Sequence, residues 1–192
     1  ECLDYLCGCL GEKITIDDIM LNAGKLYGYD IDKSIARVAI VNIRLRAISV
    51  MKRAGIDYTN ELWEQICPNI FVTKNEDIIC GSLAKDNRLV VNLVNGNELR
   101  MDDALSNADV VITNPPFATV KGMRQEEKEF LKKYYPDANC DTCVSFMAAI
   151  HRMLKITGVC GIVSQNAWMH LKSFKEIRNA FSMQYNIQKV AN

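Results

Sequence analysis

The run Asp109-Val-Val-Ile-Thr113 stops at Asn114-Pro115-Pro116-Phe117, and this junction constrains the fold more than any other part of the chain. Consecutive β-branched residues suit a strand, whereas prolines cannot donate ladder hydrogen bonds and push the preceding residue into extended backbone. The chain therefore leaves its sheet at Asn114 and cannot pass at once into a helix.

Other elements follow from similar patterns. Leu26-Tyr-Gly-Tyr-Asp-Ile31 reads as a strand, and Asp32 as the cap of a helix running to about Lys52, with Ile35, Val38, Ala39 and Leu45 mainly on one face. A short helix is expected around Leu62, a strand at Asp77-Ile-Ile-Cys80 leading into Gly81-Ser82-Leu83, and a hairpin between Arg88 and Leu99. Helices are then expected over 125–135, 141–155 and 173–181, and strands over 159–164 and 187–190. This alternation predicts an α/β fold with a mostly parallel sheet covered by helices on both faces. Ligands of such sheets sit at the carboxyl ends of the strands, which singles out the loops starting at Asp30, Gly81, Asn114 and Ser164.

Composition narrows the function classes. A chain of 192 residues with 49% hydrophobic content can bury the core of one globular domain. Basic and acidic residues balance at 23 each, so any contact with nucleic acid must rest on local features. Eight irregularly spaced cysteines read as reduced thiols of a cytoplasmic protein. Apolar runs such as Val38-Ala39-Ile40-Val41 are broken by Asn42 and Arg44, far short of the about 20 residues of a membrane span, so no membrane association is expected.

The Asn-Pro-Pro-Phe junction also carries chemistry. An exocyclic amino group on a base is a poor nucleophile because its lone pair is delocalised into the ring. An enzyme must accept hydrogen bonds from both N–H groups and turn that lone pair outward. The Asn114 side-chain oxygen and the Pro115 carbonyl are suitable acceptors, Pro116 stiffens the turn, and Phe117 offers a flat face for an extruded base. A proline-rich turn with a core phenylalanine is the other reading, and the strand before it favours the first. Asp30 closes its strand where a carboxylate can accept both hydroxyls of a ribose, while Asp32 better fits the helix cap.

The ordered set Gly28-Tyr-Asp-Ile-Asp32, Gly81-Ser-Leu83 and Asn114-Pro-Pro-Phe117 resembles the motifs of S-adenosylmethionine-dependent DNA adenine-N6 methyltransferases. Lys121-Gly-Met123, Glu129-Phe-Leu-Lys-Lys-Tyr-Tyr-Pro136 and Ser164-Gln-Asn-Ala-Trp-Met169 are similar to the BREX-type phage-defence members, with restriction-modification enzymes close behind. The resemblance implies a Rossmann-like class I methyltransferase fold and S-adenosyl-L-methionine as cofactor. It further implies double-stranded DNA with a flipped adenine as partner, beside other defence-system subunits. It assigns Asn114, Pro115, Pro116 and Phe117 to catalysis, and Asp30, Ile31, Ser82, Leu83 and Asn114 to the cofactor. Ser82 departs from the family's usual Asp at the cofactor-adenine contact. The family's glycine-rich first motif is missing too, and Glu1-Cys-Leu-Asp-Tyr-Leu-Cys7 reads as the helix that follows it. Residues 1–192 are accordingly expected to be a partial catalytic domain that lacks the central strand and the target-recognition domain, and to be inactive in isolation.

Rival readings share the same loop. Enzymes that methylate guanine N2 in ribosomal RNA or a glutamine in a release factor also use Asn-Pro-Pro-aromatic, and Gln165-Asn-Ala-Trp168 favours the DNA group over them. A catalytically silent DNA-binding module of a defence complex is the rival from another class. Cys140-Asp-Thr-Cys143 has metal-ligand spacing but no second pair, so structural thiols are expected and no metal. His151 and His170 lack a partner motif, Phe146 reads as core packing, and Lys121 and Arg124 stand where they could touch DNA phosphate.

Overall fold

The computed structural model describes residues 1–9, 13–73, 89–117 and 119–190, apart from the side chains of Asp102, Val120 and Gln184. The chain divides into two units, Glu1–Ala104 and Leu105–Asn192. In the first, helices α1 (Cys2–Gly8) and α2 (Ile16–Gly24) precede strand β1 (Tyr27–Tyr29), followed by α3 (Lys33–Arg53) and α4 (Asn60–Gln65). Strands β2 (Asn69–Thr73), β3 (Leu89–Asn92) and β4 (Glu98–Arg100) then lead into the short α5 (Met101–Ala104).

Local chemistry sets these boundaries. The Thr15 hydroxyl accepts from Asp18 N at 3.2 Å while the Asp18 carboxylate accepts from Thr15 N at 3.0 Å, a reciprocal cap that starts α2. Asp32 starts α3 by accepting from Ser34 N at 2.7 Å and Ile35 N at 3.3 Å, the capping role its position predicts. The four strands lie in the order β1-β2-β3-β4. β1 and β2 are parallel, with Tyr27 opposite Asn69 and Tyr29 opposite Phe71, whereas β3 pairs antiparallel with both β2 and β4.

Two apolar clusters hold this unit. Leu3 and Cys7 of α1, Ile19 and Ala23 of α2, and Ala47, Val50 and Met51 of α3 pack around Ile66. Ala36 and Ile40 of α3 pack on Ile70 and Val72 of β2. The buried stripe of α3 therefore runs through residues spaced four and seven apart, and Ile35, Val38 and Leu45, expected together on one apolar face, are exposed. Alanines 36 and 47 let the backbone of α3 approach its neighbours, and packing selects the face with the smaller side chains.

An ion cluster ties α1 to α3: Arg46 and Arg53 both donate to the Asp4 carboxylate. Arg46, assisted by Arg53, holds the Asp4 carboxyl at about 2, against an ordinary 3.8. A carboxyl depressed in this way contributes stability that is complete above 3.8 and is lost as pH falls toward 2. Because solvent screens the cluster, Asp4→Asn is expected to cost about 1 kcal/mol at neutral pH. The difference in urea midpoint between the variant and wild type should shrink between pH 4 and pH 2, with a constant difference telling against the pairing.

The second unit carries β5 (Ala108–Thr113), α6 (Gln125–Tyr134), α7 (Thr142–Met153), β6 (Leu154–Ile162), α8 (Ala167–His170) and α9 (Lys175–Gln184). β5 and β6 are parallel, with Ala108 opposite Leu154, Val110 opposite Val159 and Thr113 opposite Ile162. Between the first two of these pairs β6 advances farther than β5, so residues of β6 bulge from the ladder. Gly158 lies in that bulge, where a Cβ would meet Leu154 Cδ2 at 2.9 Å and the carbonyl oxygens of Ala108 and Lys155 at 3.0 Å. Gly158→Ala is expected to destabilise the protein by about 1–3 kcal/mol through this overpacking, read as a lowered denaturant midpoint. Phe130, Leu131, Tyr135, Val144, Met147, Ile150, Ile177 and Phe181 are among the unit's buried residues.

Several expectations need correction. Among the described residues the β1–β2 and β5–β6 pairs are parallel, whereas the hairpin expected between Arg88 and Leu99 forms as β3–β4 and makes the first sheet mixed where alternation predicted a mostly parallel one. β2 falls where no strand is expected, and β6 begins at Leu154, directly after α7, rather than at Val159. Residues 187–190 form no strand; Ile187 and Val190 are exposed and have no ladder partner among the described residues. Val110 and Ile112 of β5 are also exposed. The strand expected at 77–80 lies outside the described residues. The described cysteines are free thiols, and among the described residues no helix is long and apolar enough to cross a membrane.

Candidate functional site

Parallel strands present their carboxyl ends on one side, and the predicted site residues follow from that. In the first unit Asp30 continues directly from β1, its N–H donating to the Phe71 carbonyl at 3.2 Å. Its Oδ1 accepts from Asp32 N at 2.8 Å, which orients the carboxylate. Among the described residues the other oxygen has no partner. Asp30 is half-buried and Ile31 beside it is exposed, so a carboxylate acceptor and an apolar surface stand next to each other at this strand end. Ser82 and Leu83 lie outside the described residues.

In the second unit the loops after β5 and β6 emerge side by side. Thr113 is opposite Ile162, and Val163 N donates to the Thr113 carbonyl at 3.0 Å. The loops at Asn114 and Ser164, both singled out by the strand-end rule, thus leave adjacent parallel strands at the same edge. Asn114 is exposed, Pro115 buried, and Pro116 and Phe117 exposed, Phe117 at 50%. Among the described residues the Asn114 side chain has no hydrogen-bond partner. Its amide is available to a ligand.

The loop is tied back to the start of α7. The Thr142 hydroxyl donates to the Pro116 carbonyl at 2.7 Å, and Thr119 bridges Asp141. Asp141 caps α7, accepting from Cys143 N at 2.6 Å. The Cys140–Cys143 spacing points to the thiols, whereas Asp141 and Thr142 between them make the contacts; an Asp-Thr pair opening a helix is their local signal. Burial raises both the Cys140 and Cys143 thiols above their ordinary value, which keeps them protonated and poor as ligands or nucleophiles.

The loop after β6 is organised around Trp168. Its indole N–H donates to Ser164 Oγ at 3.0 Å, and its ring lies 6.0 Å from Phe181. Arg178 of α9 donates to the carbonyls of Trp168 at 2.7 Å and Leu171 at 2.6 Å, satisfying the end of α8. His151 Nδ1 lies 3.0 Å from the Tyr185 hydroxyl, whose pKa burial pushes up to about 12. His170 and Lys121 are exposed, and Arg124, at the start of α6, has Nε 3.9 Å from Glu127. Phe146 is half-buried on α7.

Comparisons with known proteins bear on this arrangement. A segment of 70 residues is 39% identical to the adenine-specific methyltransferase BrxX of Escherichia coli O9:H4 (strain HS), covering 36% of this chain and 6% of that protein. One of 87 residues is 33% identical to the adenine-specific methyltransferase PglX of Lacticaseibacillus casei (strain Zhang), covering 45% of this chain and 7% of that protein. The matched segments are thus a small part of both relatives. The family model described as Eco57I restriction-modification methylase matches residues 24–192, which take in Asp30, the Asn-Pro-Pro-Phe loop and Trp168. The chain belongs to the Eco57I restriction-modification methylase family.

Proposed function

We propose that the protein transfers a methyl group from S-adenosylmethionine to N6 of adenine in double-stranded DNA, residues 1–192 serving as part of a Rossmann-like class I catalytic domain. The observation that carries this reading is the Asn114-Pro115-Pro116-Phe117 loop, which leaves the carboxyl end of β5 with Asn114 and Phe117 exposed. Asn114 Oδ1 accepts one N–H of the adenine amino group and the Pro115 carbonyl accepts the other. These bonds draw the nitrogen lone pair out of ring conjugation and aim it. Phe117 supports the extruded base by stacking.

The first unit suits the cofactor. Asp30 keeps one carboxylate oxygen without a partner among the described residues, fit to accept from ribose hydroxyls, and Ile31 offers apolar surface beside it. S-adenosylmethionine, when bound, supplies an electrophilic methyl carbon on its sulfonium. Ser82 and Leu83 complete the proposed cofactor contacts, and Asn114 serves the target amine. No side-chain base is required, because the methylated nitrogen is acidic enough to release its proton to water. His151 is engaged by Tyr185 instead.

The relatives' name, adenine-specific methyltransferase, supports adenine over guanine or glutamine. The similarity to phage-defence members supports action beside other defence subunits. Tritiated S-adenosylmethionine offered to the full-length protein with duplex DNA, ribosomal RNA or a release factor tests the reading. Label should enter DNA alone and be recovered as N6-methyladenine after digestion. Methylguanine, methylglutamine, or no transfer by a protein that binds both cofactor and DNA would overturn it.

A further inference from the structure

We propose that Thr142 is a positioning residue for the base-holding loop, an inference that rests on the function proposed above: its hydroxyl fixes the Pro116 carbonyl and so sets the direction in which Phe117 leaves the loop. The loop's backbone has few soft torsions. Each proline locks its own φ, and Asn114 and Pro115, each preceding a proline, are confined to extended ψ. Peptide planarity removes rotation about the C–N bonds. Between Cα of Asn114 and N of Phe117 the torsion without such a restraint is ψ of Pro116, and turning it swings the Pro116 carbonyl and the Phe117 backbone together. The bond from Thr142 Oγ1 to that carbonyl, at 2.7 Å, pins this torsion.

The anchor is itself well held. Thr142 is 9% exposed and occupies the first position of α7, next to Asp141, which is 7% exposed and caps the helix. Ser145, fully buried, shares its one hydroxyl proton between the carbonyls of Ala138 at 2.5 Å and Asp141 at 2.9 Å, bracing the turn that delivers Thr142. Asp141 also bridges Thr119, so the chain is tied down on both sides of Phe117. A residue without a hydroxyl at 142 would remove the tie that holds ψ of Pro116 and leave, among the described residues, the bridge at Thr119.

The test compares Thr142→Val, which keeps shape and removes the donor, with Thr142→Ser, which restores it, in the full-length protein. Thr142→Val is expected to melt close to wild type and to lose about 10- to 100-fold in kcat with KM for S-adenosylmethionine unchanged, as misplacing a reacting group does. Hydrogen exchange over residues 114–123 should accelerate by about two- to tenfold, the equivalent of one ordinary hydrogen bond. Thr142→Ser should return both to near wild type. If Thr142→Val changes turnover without loosening the loop, loosens the loop without changing turnover, or changes neither, the positioning role is wrong. A wild-type protein that methylates no adenine sinks the proposed function instead, and the exchange comparison still reads the tie.

Discussion

Asn114→Ala in the full-length protein is expected to abolish methyl transfer while leaving S-adenosylmethionine affinity nearly unchanged. The Asn114 side chain is exposed and, among the described residues, has no hydrogen-bond partner, so its loss leaves no buried group unsatisfied. What the substitution removes is an acceptor for the target amine, a contact that strengthens as the nitrogen develops positive charge. Loss of such a contact costs on the order of 10²-fold or more in rate. Radiolabelled transfer reads turnover and calorimetry reads cofactor binding. Activity above about a tenth of wild type, for a contact of this kind, would count heavily against the assignment.

The next largest effect is expected at Phe117. Its ring is half exposed, so truncation removes little core packing, yet it supplies the flat face an extruded base needs. Stacking on an aromatic ring contributes about 1–3 kcal/mol per base, so Phe117→Ala should shift the extrusion equilibrium by roughly 5- to 150-fold. Turnover should fall more than affinity for DNA with an abasic or mismatched target, where the cost of unstacking is already reduced. Phe117→Tyr and Phe117→Trp should largely restore turnover because each keeps a flat face. Fluorescence of 2-aminopurine at the target position reports extrusion. A Phe117→Leu variant that extrudes and methylates as well as Phe117→Tyr would show that stacking is not the role.

Elements whose boundaries carry their own chemistry were legible in the sequence. Asp32 caps α3 where a capping residue is expected, the prolines end β5 at Thr113, and the charged pattern from Gln125 forms α6. β2 was not legible because Asn69-Ile-Phe-Val-Thr73 is short and follows a helix and Pro68, so no period identifies it. The start of β6 was hidden because Leu154 passes straight from α7 into the strand, with no turn residue between them. The apolar stripe on α3 pointed to residues that the structure exposes, since burial there depends on how closely α1, α2 and β2 approach.

The candidate site divides in the same way. Asp30 and the Asn-Pro-Pro-Phe loop stand out because strand ends and prolines are local signals. The tie from Thr142 to Pro116 joins residues 26 apart in sequence, and nothing local in either segment announces the other. Arg178, which closes α8 from the neighbouring α9, is invisible for the same reason.

Photocrosslinking shows where the target base sits. Duplex DNA that the protein methylates, with 5-iodouracil in place of the target adenine, is irradiated in complex with full-length protein and the attached peptide is mapped by mass spectrometry. Attachment is expected within residues 114–117, at Phe117 above all, and is expected to be lost in Phe117→Ala. Efficient attachment to a peptide that excludes the Asn114-Pro115-Pro116-Phe117 loop, undiminished by Phe117→Ala, would contradict this placement of the base.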